Sequence, residues 1–221
     1  MVSQCLHLHE KNENYYDYEN LGPDTIKFTL LDDNNAMLKG YNNGELDFIE
    51  NLPVDEIPTY LASGELEIGD YLGTYYVCFN TEDEVFSDPN IRKAFSLVID
   101  RNYIVENVSQ AGEVPADGYV PNGVNDAAGA GSDDFRTVGG SYYSISDEDY
   151  EANCEEARQL LADAGYPNGE GFPTVEYLYN TADNHKKIGE ALQNMWQTEL
   201  GVTVNLNNQD WNVFLQNRKR R

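Results

Sequence analysis

The sequence predicts an α/β fold, and three observations carry that expectation. Between Ser146 and Phe214, helix-like and strand-like stretches alternate in the order helix, strand, helix, strand, helix, and strands joined through helices usually lie parallel in one sheet, with right-handed crossovers. Helix entries are marked by side chains such as Asp88, Asp100 and Asp210, whose oxygens can satisfy the free amides of a first turn. Hydrophobic residues make up 40% of the 221-residue chain, including 16 Tyr and 8 Phe. That is enough apolar material for a real core and argues against wholesale disorder. The length suits one or two domains.

Taken in order, residues 25–31 begin by alternating apolar and polar side chains and read as a strand. Residues 33–43 read as a short helix, entered at Asp33 or Asn34 and left through Asn43-Gly44. Leu46 to Ile49 reads as a short strand, and Pro53 to Ala62 as a helix with Pro53 at its start and Gly64 past its end. Two strands are expected at 66–72 and 74–80, joined at Gly73. A helix follows from Asp88 to Val98, with Ile91, Phe95 and Val98 on one face. Asp100 starts a second helix carrying Tyr103, Ile104 and Val108. Residues 109–141 show little periodicity and read as a long loop, crossing between lobes near Val114-Pro115-Ala116.

The last third is the most regular. A helix from Ser146 or Asp147 to Ala164 carries the stripe Tyr150, Cys154, Ala157, Leu161 and Ala164, and Gly165 and Pro167 end it. Residues 174–180 form a strand with Val175, Tyr177 and Tyr179 on one face. A helix from about Asn184 to Leu200 buries Ile188, Leu192, Met195 and Trp196. Val202, Val204 and Leu206 alternate as another strand, and Asp210 caps a final helix through Phe214.

The formal net charge is -25, from 39 acidic and 14 basic residues. So negative a surface repels nucleic acid and anionic lipid, and neither is an expected partner. No stretch approaches the length of a membrane span, and no basic-then-apolar leader follows Met1. Cys5, Cys78 and Cys154 make no CxxC spacing, so neither a zinc knuckle nor a redox motif is supported.

Several motifs then occur in a fixed order: Asn-Tyr-Tyr-Asp at 14–17, Gly-Glu-Leu-Asp-Phe-Ile at 44–49, Leu-Pro-Val-Asp-Glu-Ile-Pro at 52–58 and Tyr-Leu-Gly-Thr-Tyr-Tyr-Val-Cys-Phe-Asn at 71–80. They continue with Ile-Arg-Lys-Ala-Phe-Ser-Leu-Val-Ile-Asp-Arg at 91–101, Ala-Arg-Gln-Leu-Leu-Ala-Asp-Ala-Gly-Tyr-Pro at 157–167, Leu-Tyr-Asn-Thr at 178–181, His-Lys-Lys at 185–187, Asn-Met-Trp-Gln at 194–197, Leu-Gly-Val at 200–202 and Asn-Gln-Asp-Trp at 208–211. This ordered set resembles the solute-binding proteins of bacterial oligopeptide ABC transporters, the OppA-like members of extracellular solute-binding protein family 5. The resemblance implies a periplasmic-binding-protein type II-like α/β fold with mixed sheets flanked by helices. In the family, two lobes close on an extended peptide gripped largely through its backbone and termini. It further implies that residues 1–115 belong to the first lobe and 116–221 begin the second, so the two-lobed fold is incomplete. Family members are more than twice this length, and their acidic partner for the peptide amino terminus lies beyond Arg221. The implied partners are an oligopeptide and membrane permease subunits. The implied location is extracytoplasmic, either periplasmic or lipid-anchored, and a monomer without a cofactor is expected.

The same resemblance singles out side chains. His185 matches a position that approaches bound peptide, and its plainer alternative is an exposed helix entry beside Lys186. Trp211 matches a tryptophan at the cleft, where an indole offers an apolar wall and one donor, and otherwise anchors a helix start. Arg218 matches an arginine able to fork onto a carboxylate, or else frays near the chain end. Tyr75 and Tyr76 point to opposite faces if 74–80 is a strand, so one lines the cleft while the other packs. Tyr119 is a further cleft candidate, and Trp196 reads as core.

Cys5, His7 and His9 share one face if their segment is a strand, and sulfur with imidazole suits zinc, nickel or copper, though no fourth ligand is evident. The carboxylates from Asp147 to Glu156 gather at a helix start, where negative charge is favourable without any catalysis. No nucleophile elbow or phosphate-cradling glycine loop occurs. The expected function is therefore peptide capture for import, by a binding protein and not an enzyme. The alternatives are a truncated fragment that binds nothing and a metal or metal-chelate binder of the same superfamily.

Overall fold

The computed structural model describes residues 6–218. The chain divides into two compact units, one ending at Glu56 and the other starting at Ile57.

In the first unit, β1 (Leu6–Glu10) and β2 (Thr25–Thr29) form an antiparallel pair in which His7 faces Phe28 and His9 faces Ile26. Helix α1 (Asn34–Asn42) starts where the Asp33 carboxylate accepts the Ala36 amide at 2.7 Å. It ends in a left-handed Gly44, with Glu45 N–H bonded to Gly40 O and Gly44 N–H to Tyr41 O. This closure corrects the strand expected at 46–49. Leu46 N–H also bonds Gly40 O, and the Leu46 side chain lies over Gly40, so the segment caps α1 instead of laddering.

In the second unit, α2 (Ile57–Ser63) ends at Gly64 as the sequence suggests. The two strands expected at 66–72 and 74–80 are absent, and this is a second correction. Alternation is present, since Val77 and Phe79 pack on the core while Tyr76 and Cys78 are exposed. However, alternation sets which way side chains face and cannot supply a pairing partner. The backbone bonds made here by described residues are local, from Leu66 N–H to Tyr60 O, from Gly73 N–H to Tyr71 O and from Asp83 N–H to Asn80 O.

Helix α3 (Pro89–Leu97) is capped by Asp88, and α4 (Arg101–Tyr103) by Asp100. The latter runs on as a π-helical turn, Ile104–Ser109, closed by Gln110 at φ 54°. The long loop holds one short helix that the sequence reading missed, α5 (Phe135–Gly139). Its cap Asp134 accepts from Arg136 and Gly123 amides, and the Arg136 guanidinium binds Asp117, which also accepts from Ser141. The Ser141 hydroxyl, and then Arg136, hold the Asp117 carboxyl below its usual range.

A 3-10 turn entered at Ser146 leads into α6 (Tyr150–Asp163). Then come β3 (Val175–Asn180), α7 (Asp183–Leu200), β4 (Val204–Gln209) and α8 (Trp211–Asn217). β3 and β4 pair parallel, Val175 against Val204 through Asn180 against Gln209, as strands joined by a helix should.

One core joins α3, α6, α7 and β4. It draws Ile91, Phe95 and Val98 from before Val114-Pro115-Ala116, and Cys154, Leu161, Leu192 and Trp196 from after it. Phe95 is its hub, with ring centroids of Phe86, Phe172 and Trp196 at 5.2, 5.6 and 5.4 Å. The Trp196 indole N–H donates to Phe95 O at 2.9 Å, out of solvent. Cys154 is an interior thiol, which burial pushes up to about 11. Where α7 ends, Gly201 (φ 69°) lies against Gly169 (φ 76°), so closely that a Cβ on Gly201 would stand 2.3 Å from Asn168 O.

Two stability outcomes follow. Phe95→Ala should lower the unfolding free energy by about 3–5 kcal/mol in urea melts, because the hub ring leaves a cavity that its neighbours fill poorly. Gly201→Ala should cost at least about 1–3 kcal/mol by the same assay, since a left-handed backbone is strained with any side chain and this one also meets a carbonyl.

Candidate functional site

Parallel pairing decides where the candidate residues go. β3 leads almost directly into α7 and β4 into α8, and the two strands run the same way. The first turns of both helices therefore open at the carboxyl edge of the sheet, where ligands of open α/β sheets usually bind. The Thr181 hydroxyl fastens this edge, lying 2.9 Å from Asn208 Oδ1 and 3.2 Å from Gln209 O. Asn217 Nδ2 donates to Gln209 Oε1 at 2.9 Å and ties α8 back to the strand it follows.

His185 sits in the first turn of α7 and is partly buried. Its Nδ1 is 3.0 Å from the Tyr75 hydroxyl, and the two rings stack with centroids 5.5 Å apart. Nearby on β3, the Tyr177 ring packs edge-on against Trp196 at 5.9 Å. Burial lowers the His185 pKa from the ordinary imidazole value and raises the phenols of Tyr75 and Tyr177. At neutral pH, His185 is thus a neutral imidazole with one donor and one acceptor.

Trp211, half exposed, opens α8, and its indole stacks on Phe214 at 5.8 Å. The Arg218 guanidinium lies over the Phe214 ring, 5.8 Å from its centroid. The spacings of three and four place Trp211, Phe214 and Arg218 on one helical face. Tyr76 and Tyr119 meet edge to face at 5.0 Å, and both are more than half exposed.

The structure therefore brings Tyr75 to His185, Tyr76 to Tyr119, and Trp211 to Arg218 through Phe214. The expectation that one of Tyr75 and Tyr76 packs away is corrected: the two are about equally exposed, at 54% and 56%. Tyr177 and Phe214 were not singled out from the sequence. The signal for Phe214 is its spacing from Trp211 and Arg218. For Tyr177, read from the sequence only as part of one strand face, there is none. Of the metal candidates, Cys5 lies outside the described residues. His7 and His9 lie on exposed β1, with His9 edge-on to Phe28 at 5.3 Å. Among the described residues no three His, Cys, Asp or Glu side chains gather as metal ligands.

Known proteins resemble this chain in sequence and fold. The sequence profile described as "Bacterial extracellular solute-binding proteins, family 5 Middle" matches residues 7–221. The oligopeptide-binding protein OppA of Bacillus subtilis is 34% identical over 210 residues, 93% of this chain and 37% of that protein. The periplasmic oligopeptide-binding protein OppA of Salmonella typhimurium is 32% identical over 217 residues, 95% of this chain and 37% of its own length. Among solved structures, the murein tripeptide binding protein MppA of Escherichia coli superposes with a TM-score of 0.80 at 29% identity, covering 100% of this chain and 41% of that one. Haemophilus influenzae OppA in complex with RPPGFSPFR gives 0.78 at 26% identity, over 97% and 41%. The chain thus spans less than half the length of these relatives.

The lowered His185 pKa has a definite sign. The folded state holds this proton less tightly than the unfolded chain does, so the histidine's contribution to stability is complete above about pH 6.5 and is lost as pH falls through the lower folded value. Thermal melts from about pH 7.5 down to about pH 5.5 should show a decline in Tm that is shallower in His185→Asn than in the unaltered chain. Parallel curves would contradict the assignment.

Proposed function

We propose that this chain, which belongs to the bacterial extracellular solute-binding proteins of family 5, supplies one wall of a peptide-binding cleft in the capture subunit of an uptake transporter. The observation that carries the reading is the common edge of β3 and β4, where His185 and Trp211 emerge together and Tyr75 joins His185. An imidazole offers a hydrogen bond to a peptide oxygen, and an indole gives a flat apolar wall beside it. Arg218 adds a guanidinium suited to a carboxylate, and Tyr76 with Tyr119 adds a broad ring surface. Main-chain recognition with few shape-specific pockets suits varied peptide sequences.

The role is capture, not catalysis, with delivery to permease subunits in the membrane. The family supports an extracytoplasmic location, and no helix among the described residues is long and apolar enough to cross a membrane. The relatives' names include dipeptide-binding and oligopeptide-binding proteins, which supports peptide as the ligand class. A second reading, that these residues bind nothing without the rest of a longer protein, is favoured by the 37% share of the relatives that they span.

A thermal melt with and without a mixture of short peptides separates the two. Peptide capture predicts an upward shift, corresponding to about 2.7 kcal/mol when ligand exceeds Kd a hundredfold. Trp211→Ala should weaken binding by roughly tenfold, about 1.4 kcal/mol. A cooperative melt unmoved by peptide would leave family membership intact and remove the binding claim for this chain.

A further inference from the structure

We propose that Thr181 is a positioning residue: its hydroxyl locks the entry of α7 to the end of β4, so that His185 and Trp211 are presented to a ligand at one fixed separation. Thr181 directly follows β3 and stands two residues ahead of α7. Its amide continues the parallel ladder by one step, donating to Gln209 O at 2.9 Å. A carbonyl oxygen can accept twice, and the Thr181 hydroxyl lies 3.2 Å from that same oxygen and 2.9 Å from Asn208 Oδ1. One side chain thus grips the last two residues of β4, and Trp211 begins α8 two positions further on. Gln209 is the meeting point, because its side-chain Oε1 also accepts from Asn217, the neighbour of Arg218, at 2.9 Å.

The two helices differ in how they begin. Helix α8 has its own cap, since the Asp210 carboxylate accepts the Asn212 amide at 3.0 Å. Helix α7 enters through Ala182, whose side chain offers no oxygen to the first turn. A first turn without a cap frays more readily, and His185 sits in that turn. The bond that opens α7, from Lys186 N–H to Ala182 O at 3.0 Å, starts one residue beyond Thr181. The hold on this end of α7 therefore comes from outside the helix, through the Thr181 amide and hydroxyl. The inference deepens the capture reading and rests on it for one consequence. A ligand that touches both His185 and Trp211 must match a spacing that the protein does not adjust, so loosening Thr181 weakens such a ligand without removing any contact with it.

The test compares the full 15N-labelled chain with Thr181→Val and Thr181→Ser. Valine keeps the branched shape and the ladder amide and removes only the hydroxyl, which serine restores. The two indoles report separately, since Trp196 is buried in the core and Trp211 is half exposed. Thr181→Val is expected to speed hydrogen exchange at the Lys186 amide by roughly fivefold, the scale of one neutral hydrogen bond, and to shift the Trp211 indole signal. The Trp196 signal and the amides of the second half of α7 should stay as they were, and Thr181→Ser should return Lys186 and Trp211 to the unaltered values. If either Lys186 exchange or the Trp211 signal is unchanged in Thr181→Val, the lock is overturned. Equal acceleration of every α7 amide, the mark of a general loss of stability, would overturn it too. Peptide titration gives the second readout, with Thr181→Val expected to bind roughly threefold more weakly than Thr181→Ser, and equal binding by the two variants would overturn the positioning role. If exchange and indole signals behave as expected and the unaltered chain binds no peptide, the capture reading falls and the lock stands.

Discussion

The second unit depends on the burial of Phe95 against Trp196. Residues 101 positions apart meet through rings tilted against each other and through an indole N–H that donates to the Phe95 carbonyl. A buried donor without a partner would oppose folding, so this bond ties the burial of α7 to the placement of α3. Once α7 is seated, β3 and β4 flank it in parallel, and the starts of α7 and α8 fall on one edge. Placement of the candidate site is thus a consequence of core packing between helices far apart in sequence.

Arginine use fits the same picture. In a chain of net charge -25, the simplest use of cations is to neutralise surface acid. Instead, several guanidinium groups fasten loops to helices. Arg92 donates to the carbonyls of Phe86 and Ser87. Arg101 reaches the carbonyls of Ser96 and Ile99 and the Tyr143 hydroxyl. Arg136 holds Asp117, and Arg158 bridges Glu151 and Glu199 at 2.8 Å each. A planar, multiply donating group can satisfy several loop carbonyls at once, which an ammonium does less well.

Much of the fold was legible because its signals are local. The Asp caps at 33, 88, 100 and 210 act two or three residues away, and the stripes ending at Val98, Ala164 and Trp196 follow helical spacing. The failures share a cause. Leu46–Ile49 and 66–80 have strand-like patterns, yet one is drawn into a helix closure and the other meets no partner strand, and pairing is not encoded in either segment alone. The site divides similarly. Trp211 and Arg218 share a face by spacing, and the resemblance pointed to His185. The contact of Tyr75 with His185, 110 positions away, arises only when the chain is folded.

The meeting of Gly169 with Gly201 has a mechanical consequence for the far end of α7. Two backbones in direct contact allow almost no sliding, so the helix is held along its axis where it stops. An α-helix is stiff, and His185 lies about 24 Å up this one, at 1.5 Å per residue. The helix therefore works as a strut with its foot in a socket, and the height of the imidazole above the sheet edge is set by the fit of that socket.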